Sequence, residues 1–232
     1  MALASAMQTF ADRFRARVLR TLEWILAHRR PVVAALAAAM MAGGAGGVWW
    51  WQAEGRERLA GKALAEVNQA FRQQYPAGLY LPRDEGNDPK PDDFIRRYRQ
   101  VAGQFRGTRA GAEARLRAGH LEYSAGLYDG ATEDYDRYAA SRRAPFRATA
   151  LLGKGYALQA KGDLPGAVAS FVLAAASAGR DPLAAEAYMA EGRALEALKR
   201  RDEALRVYGL IAERFPQSFW ATRAAERTSA LR

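Results

Sequence analysis

Apolar and polar positions follow three regimes along this chain. Phe10, Phe14, Val18, Leu22 and Ile25 recur at spacings of three and four with arginines on the other faces, the stripe of an amphipathic helix. From Pro31 to Trp51 the stripe vanishes because every side chain is apolar or absent: PVVAALAAAMMAGGAGGVWWW. About 20 helical residues span roughly 30 Å, the hydrocarbon thickness of a bilayer, so this run predicts a transmembrane helix. Beyond Trp51 charge returns. Residues 53–75 and 94–105 read as helices, separated by PAGLYLPRDEGNDPKPDD (76–93), whose Pro, Gly and Asp predict a loop. The two helices are expected to form a degenerate, loop-split hairpin.

Residues 110–232 then repeat themselves. GHLEYSAGLYDGATEDYDRY (119–138), GYALQAKGDLPGAVASFVLA (155–174) and GRALEALKRRDEALRVYGLI (192–211) open on Gly119, Gly155 and Gly192. Twelve residues on stand Ala131, Ala167 and Ala204, and four further on Tyr135, Phe171 and Tyr208. The period of 36–37 residues is that of a helical hairpin. A small residue on each helix lets the pair approach closely, and the aromatic plugs the space to the neighbouring hairpin. Gly126 and Gly162-Asp163 supply turns, Pro216 ends the third unit's second helix, and FWATRAAERTSAL (219–231) reads as a capping helix.

This combination resembles the tetratricopeptide repeat over three units. The first helices lack the usual Trp, and Lys199-Arg200 replace a Gly-Asp turn, which leaves room for a different conformation there. The resemblance implies a concave partner groove lined by first helices: Glu113, Leu116, His120 and Tyr123, then Leu152, Tyr156 and Gln159, then Met189, Arg193 and Glu196. Aromatics, aliphatics and both charges in that set suit an extended or helical polypeptide. For any one residue, ordinary packing is an equal reading. The expected fold is thus all-α: a single N-terminal transmembrane helix followed by a tetratricopeptide-repeat solenoid. Its segments are 1–30, 31–51, 52–109 and 110–232.

Charge orients the chain. Residues 1–30 carry six arginines against Asp12 and Glu23, whereas Glu54 and Glu57 balance Arg56 and Arg58 after the run. The basic flank is expected in the cytoplasm and residues 52–232 in a periplasm, with Trp49, Trp50 and Trp51 at the interface. A cleaved signal peptide is the rival reading, although its apolar region is usually shorter and closer to the start. Residues 1–30 fit a helix on anionic lipid or, equally, against a partner. Ala35, Ala39, Gly43 and Gly47 recur every fourth residue, a small-residue stripe suited to close helix packing in lipid.

Composition narrows the chemistry. The formal charge is +10, but the N-terminal flank explains a good part of it, and an outer domain would rarely meet nucleic acid. With no cysteine there is no disulfide, thiol chemistry or iron–sulfur cluster. His28 and His120 stand alone, and Gly153-Lys154-Gly155 lies inside a helix, not in a phosphate loop. Glu133/Asp134, Asp202/Glu203 and Asp92/Asp93 read as helix-start or solvated charges. The expectation is no enzyme, no metal and no cofactor.

The whole layout resembles the YfgM-like family, ancillary to the bacterial Sec translocon. GGVWWWQAEGRERLAGKALAEVNQAF (46–71) is similar to its membrane exit, and FRGTRAGAEARLRAGHLEYSAGLYDGA (105–131) to its entry into the first repeat. The resemblance implies an inner-membrane protein whose periplasmic domain contacts the translocon and periplasmic chaperones. Two other readings are a structural subunit of another envelope complex (secretion, motility or bioenergetic) and a role in cell-wall or outer-membrane coordination. DEALRVYGLIAERFPQSFWATRA (202–224) resembles repeats of that last group.

Overall fold

A computed structural model describes Arg17, Trp24, residues 29–75 and residues 91–231, all side chains included except those of Arg29, 32–39, Ala42 and Ala45. The amphipathic stripe expected over 10–25, residues 76–90 of the expected loop, and the side chains of Ala35 and Ala39 therefore lie outside the described residues. Within the described residues there are nine helices: α1 (Arg29–Gln74), α2 (Asp92–Gln104), α3 (Arg109–Ser124), α4 (Tyr128–Ala139), α5 (Arg147–Ala160), α6 (Leu164–Ala178), α7 (Leu183–Ala197), α8 (Arg201–Arg214) and α9 (Phe219–Leu231). Asp92 and Asp93, placed at the end of the expected loop, instead form the first turn of α2, where carboxylates meet the positive end of the helix dipole. The chain divides into two compact units, Met1–Gly55 and Arg56–Arg232.

In the first unit the described side chains of α1 are exposed except for the half-buried Ala53, among them Met40, Met41, Val48 and the three tryptophans. A Cβ added to Gly43 or Gly47 would meet nothing within 4 Å. Among the described residues no helix is long and apolar enough to cross a membrane, which leaves the transmembrane helix expected over 31–51 without structural support.

The second unit is a succession of helical hairpins, each helix packed on the next from α2 to α9. Its first layer joins Ala60 and Leu64 of α1 to Phe94, Ile95, Tyr98 and Val101 of α2, with Ala110, Ala114 and Leu121 of α3. Phe71 meets Phe94 edge-on at 5.2 Å, and Tyr98 donates to Asn68 at 2.8 Å. In the following layers the small–aromatic pattern becomes geometry. Ala131, Ala167 and Ala204 are completely buried on α4, α6 and α8. A Cβ on Gly119 would lie 3.1 Å from the Tyr135 ring, one on Gly155 2.5 Å from Phe171 Cδ1, and one on Gly192 2.6 Å from Tyr208 Cζ. Each aromatic thus rests on the bare backbone of its partner helix, a seat that only glycine leaves open. Tyr135 also reaches the next hairpin, where a Cβ on Gly153 would come within 2.7 Å of its ring.

All three hairpin turns share one construction. Gly126, Gly162 and Lys199 each stand seven residues after the glycine and have φ of 76°, 87° and 61°. The N–H after each bonds back to Glu122, Leu158 and Leu195 carbonyls at 2.8–2.9 Å, and the turn residue's own N–H to Tyr123, Gln159 and Glu196 at 2.8–3.1 Å. This Schellman pattern satisfies the last carbonyls of α3, α5 and α7. The third turn, where a different conformation was open, is the same as the others. Helix packing imposes it on Lys199 despite the steric strain of a left-handed non-glycine residue.

Candidate partner-binding surface and buried charge cluster

First helices of successive hairpins touch one another, α3 with α5, α5 with α7 and α7 with α9, whereas among the described residues α4, α6 and α8 do not. A stack crowded on one side curves toward it, so the first helices form the inner row. On each, the positions one and four after the glycine are half-buried or exposed: His120 and Tyr123, Tyr156 and Gln159, Arg193 and Glu196, Tyr156 with one side against the core. Leu116, Leu152 and Met189 do not join them. They stand three residues before the glycines, on the same helical face, and are buried in the inter-helix cores at 7%, 5% and 4% exposure. Their assignment to the groove is corrected accordingly.

The remaining residues are held in specific contacts. His120 Nδ1 lies 2.8 Å from the Tyr135 hydroxyl, and burial together with Arg117 pushes its pKa below the usual histidine value. Glu113 binds Arg117 one turn on at 2.8 Å. Tyr156 stacks edge-on against Phe171 at 5.2 Å and donates to Glu186 at 3.1 Å. Burial first, then the Glu186 charge, raises the tyrosine to about 12, so it stays a neutral donor; Arg193 and Tyr123 act on it from nearby. Glu196 is engaged within the chain, accepting from Tyr208 and, at 2.9 Å, from Arg227 Nε of α9. Burial opposes its ionisation, but these bonds hold it below the usual carboxylate range. The surface that remains is therefore centred on Tyr123, Tyr156, Glu186 and Arg193. Glu186 went unrecognised in the sequence, yet it stands six residues before Gly192 just as Glu113 stands six before Gly119, and that register was the available signal.

A second cluster was not legible at all. Asp134, read as a helix-start or solvated charge, is 1% exposed, and Glu122 is 2% exposed. Arg99 of α2 binds Glu122 Oε1 at 2.6 Å and Asp134 Oδ2 at 2.8 Å, while Arg115 of α3 binds Asp134 Oδ1 at 2.8 Å. Glu122 Oε2 is buried with no hydrogen-bond partner. Burial, and then the neighbouring Asp134 charge, raises the Glu122 carboxyl to about 7. The carboxylate lies over Gly130, where a Cβ would come within 2.6 Å of Oε1. Two arginines and two carboxylates thus fasten α2 to the first repeat hairpin. Asp202 and Glu203 do open α8, as Asp92 and Asp93 open α2.

No protein-family model matches the chain, and no curated protein matches it.

Proposed function

We propose that this chain is a non-catalytic tetratricopeptide repeat protein that presents a polypeptide-binding surface at the outer face of the bacterial inner membrane, ancillary to the Sec translocon and the periplasmic chaperones. The observation that carries the reading is the threefold seat of an aromatic on a facing glycine, Tyr135 on Gly119, Phe171 on Gly155 and Tyr208 on Gly192. This is the packing of stacked helical hairpins, and such a stack offers a continuous inner row of side chains to a partner segment. Tyr123, Tyr156, Glu186 and Arg193 give that row aromatic surface with both charges, a composition suited to a polypeptide.

Membrane anchoring rests on the run 31–51, with residues 1–30 cytoplasmic on anionic lipid. The open space at Gly43 and Gly47 supports a stripe, with Ala35 and Ala39, against which a partner's membrane helix packs. The test is affinity purification of the full chain from native membranes followed by mass spectrometry. Sec components are expected with the wild type and should be depleted by Tyr156→Ala with Arg193→Ala; recovery of no Sec component refutes the translocon assignment.

One observation favours the second reading, a permanent subunit of another envelope complex. α6, LPGAVASFVLAAASA, has no charged residue, yet Pro165, Ala169, Val172, Leu173 and Ala176 are exposed on it. The equivalent faces of α4 and α8 carry Asp129, Glu133 and Asp136, and Asp202, Arg206 and Glu213. A constant partner would cover such a face. Recovery of one fixed set of proteins in constant stoichiometry, without Sec components, selects this reading.

A further inference from the structure

Between the α2–α3 turn and the C-terminal end of α4 lies a cleft of about 390 Å³. Three arginines line it from three different elements, Arg106 from the turn, Arg115 from α3 and Arg137 from α4, together with Thr108, Tyr138 and Ser141. Arg137 is paired with Glu133, and Arg115 with Asp134 at 2.8 Å. Among the described residues no carboxylate is paired with Arg106.

The nearest helix end is already satisfied. The N–H groups of Arg109 and Ala110 donate to the Glu57 carboxylate at 3.0 and 3.1 Å, and that of Gly111 to Thr108 Oγ1 at 3.0 Å. An anion in the cleft must therefore be held by side chains rather than by the α3 dipole. The charge count favours one. Arg99, Arg106, Arg115, Arg137 and Arg143 face Glu57, Glu122, Glu133 and Asp134, which leaves one positive charge in excess. The volume far exceeds the roughly 30 Å³ share of one water, so an ion with an attached organic group fits.

We propose that this cleft binds a phosphate-bearing anion through Arg106, Arg137 and the N–H groups of Arg115 left over from Asp134. Arginines drawn from three elements offer donors for the several acceptor oxygens of a tetrahedral ion, and Arg is the side chain best suited to bind it bidentately. The same chemistry is presented by a soluble phosphate ester and by the headgroup of an anionic phospholipid.

The experiment is calorimetric titration of the full chain, held in a non-ionic detergent, with inorganic phosphate, acetate and chloride at matched ionic strength. The wild type should give a saturable heat with phosphate alone. Arg106→Gln with Arg137→Gln should weaken that binding at least about tenfold, since two charge-assisted contacts are removed. Both side chains are exposed, so helical circular dichroism should be unchanged. Phosphate heats indistinguishable from chloride, acetate binding as tightly as phosphate, or full binding by the double variant would each overturn the proposal. A second titration, with deacylated phosphatidylglycerol headgroup, identifies the source while sustaining the proposal. Binding about tenfold tighter than inorganic phosphate assigns the site to lipid; equal or weaker binding assigns it to a soluble anion.

Discussion

Replacing Gly155 by Ala tests the interlock most directly, because two known effects oppose each other there. On an exposed helix Ala is favoured over Gly by about 1 kcal/mol. At Gly155 the new Cβ would sit 2.5 Å from Phe171 Cδ1 and 2.9 Å from Cζ, where unstrained carbons need about 3.5–4.0 Å. Relief requires the ring to retreat by about 1 Å. Phe171 is completely buried, with the Tyr156 ring 5.2 Å away and Ala187, Ala190 and Ala194 in the same core. Overpacking of a closed core costs about 1–3 kcal/mol, occasionally more, so the clash outweighs the propensity gain and Gly155→Ala should destabilise by roughly 1–2 kcal/mol. Gly209 is the control: it lies on the exposed face of α8 with nothing within 4 Å of an added Cβ, and Gly209→Ala should stabilise by about 0.5–1 kcal/mol. In a Phe171→Leu background the cost of Gly155→Ala should shrink, giving a coupling energy of at least about 0.5 kcal/mol. Urea unfolding of the full chain followed by helical circular dichroism measures all four variants. Gly155→Ala matching or exceeding the wild type, or responding as Gly209→Ala does, would refute the interlock.

Lys199→Gly should stabilise by about 1 kcal/mol, since it removes a side chain from a left-handed turn, while Lys199→Ala should be nearly neutral in the same unfolding assay. Glu122 and Glu191 are both raised from 4.5 to about 7, chiefly by burial, with Asp134 and Glu203 adding to it. A carboxyl raised in the folded state binds more protons there than in the unfolded chain, so stability is fully present below about pH 4.5 and is lost as pH rises through about 7. Each group should account for about 1–2 kcal/mol over that window, against an opposing rise from His120, whose pKa is lowered, and Glu122→Gln with Glu191→Gln should remove the glutamate part; a double variant that keeps the wild-type pH dependence would contradict the assignment. Gly130→Ala should cost about 1–3 kcal/mol by pushing the Glu122 carboxylate off its seat, and Glu122→Ala should relieve most of that loss, as a double-mutant cycle will show.

Much of the fold was visible in the spacing of small and aromatic residues. Gly119, Ala131 and Tyr135, and their two sets of counterparts, specify which helical faces meet, because a glycine opposite an aromatic admits one register and few others. Sequence spacing also located the turns and the capping helix. It placed Leu116, Leu152 and Met189 in the groove because the resemblance assigns whole first helices to it, whereas the position three before each glycine is buried in the inter-helix core.

What the sequence by itself determined was therefore local: helices, their period and the pairs that interlock, all set by residues within one hairpin. Tertiary structure alone decided the state of the charges. Asp134 and Glu133 are neighbours in sequence, yet one is buried and the other exposed, because α2 brings Arg99 across 35 residues to the first and solvent reaches the second. Lys199 takes a glycine's backbone conformation for the same kind of reason: the interlocks on either side hold the turn closed, and the strain of one residue is small against the packing of two helices. A charge or a turn residue reads alike wherever it stands in the chain; only the elements that fold around it determine its burial, its partners and its conformation.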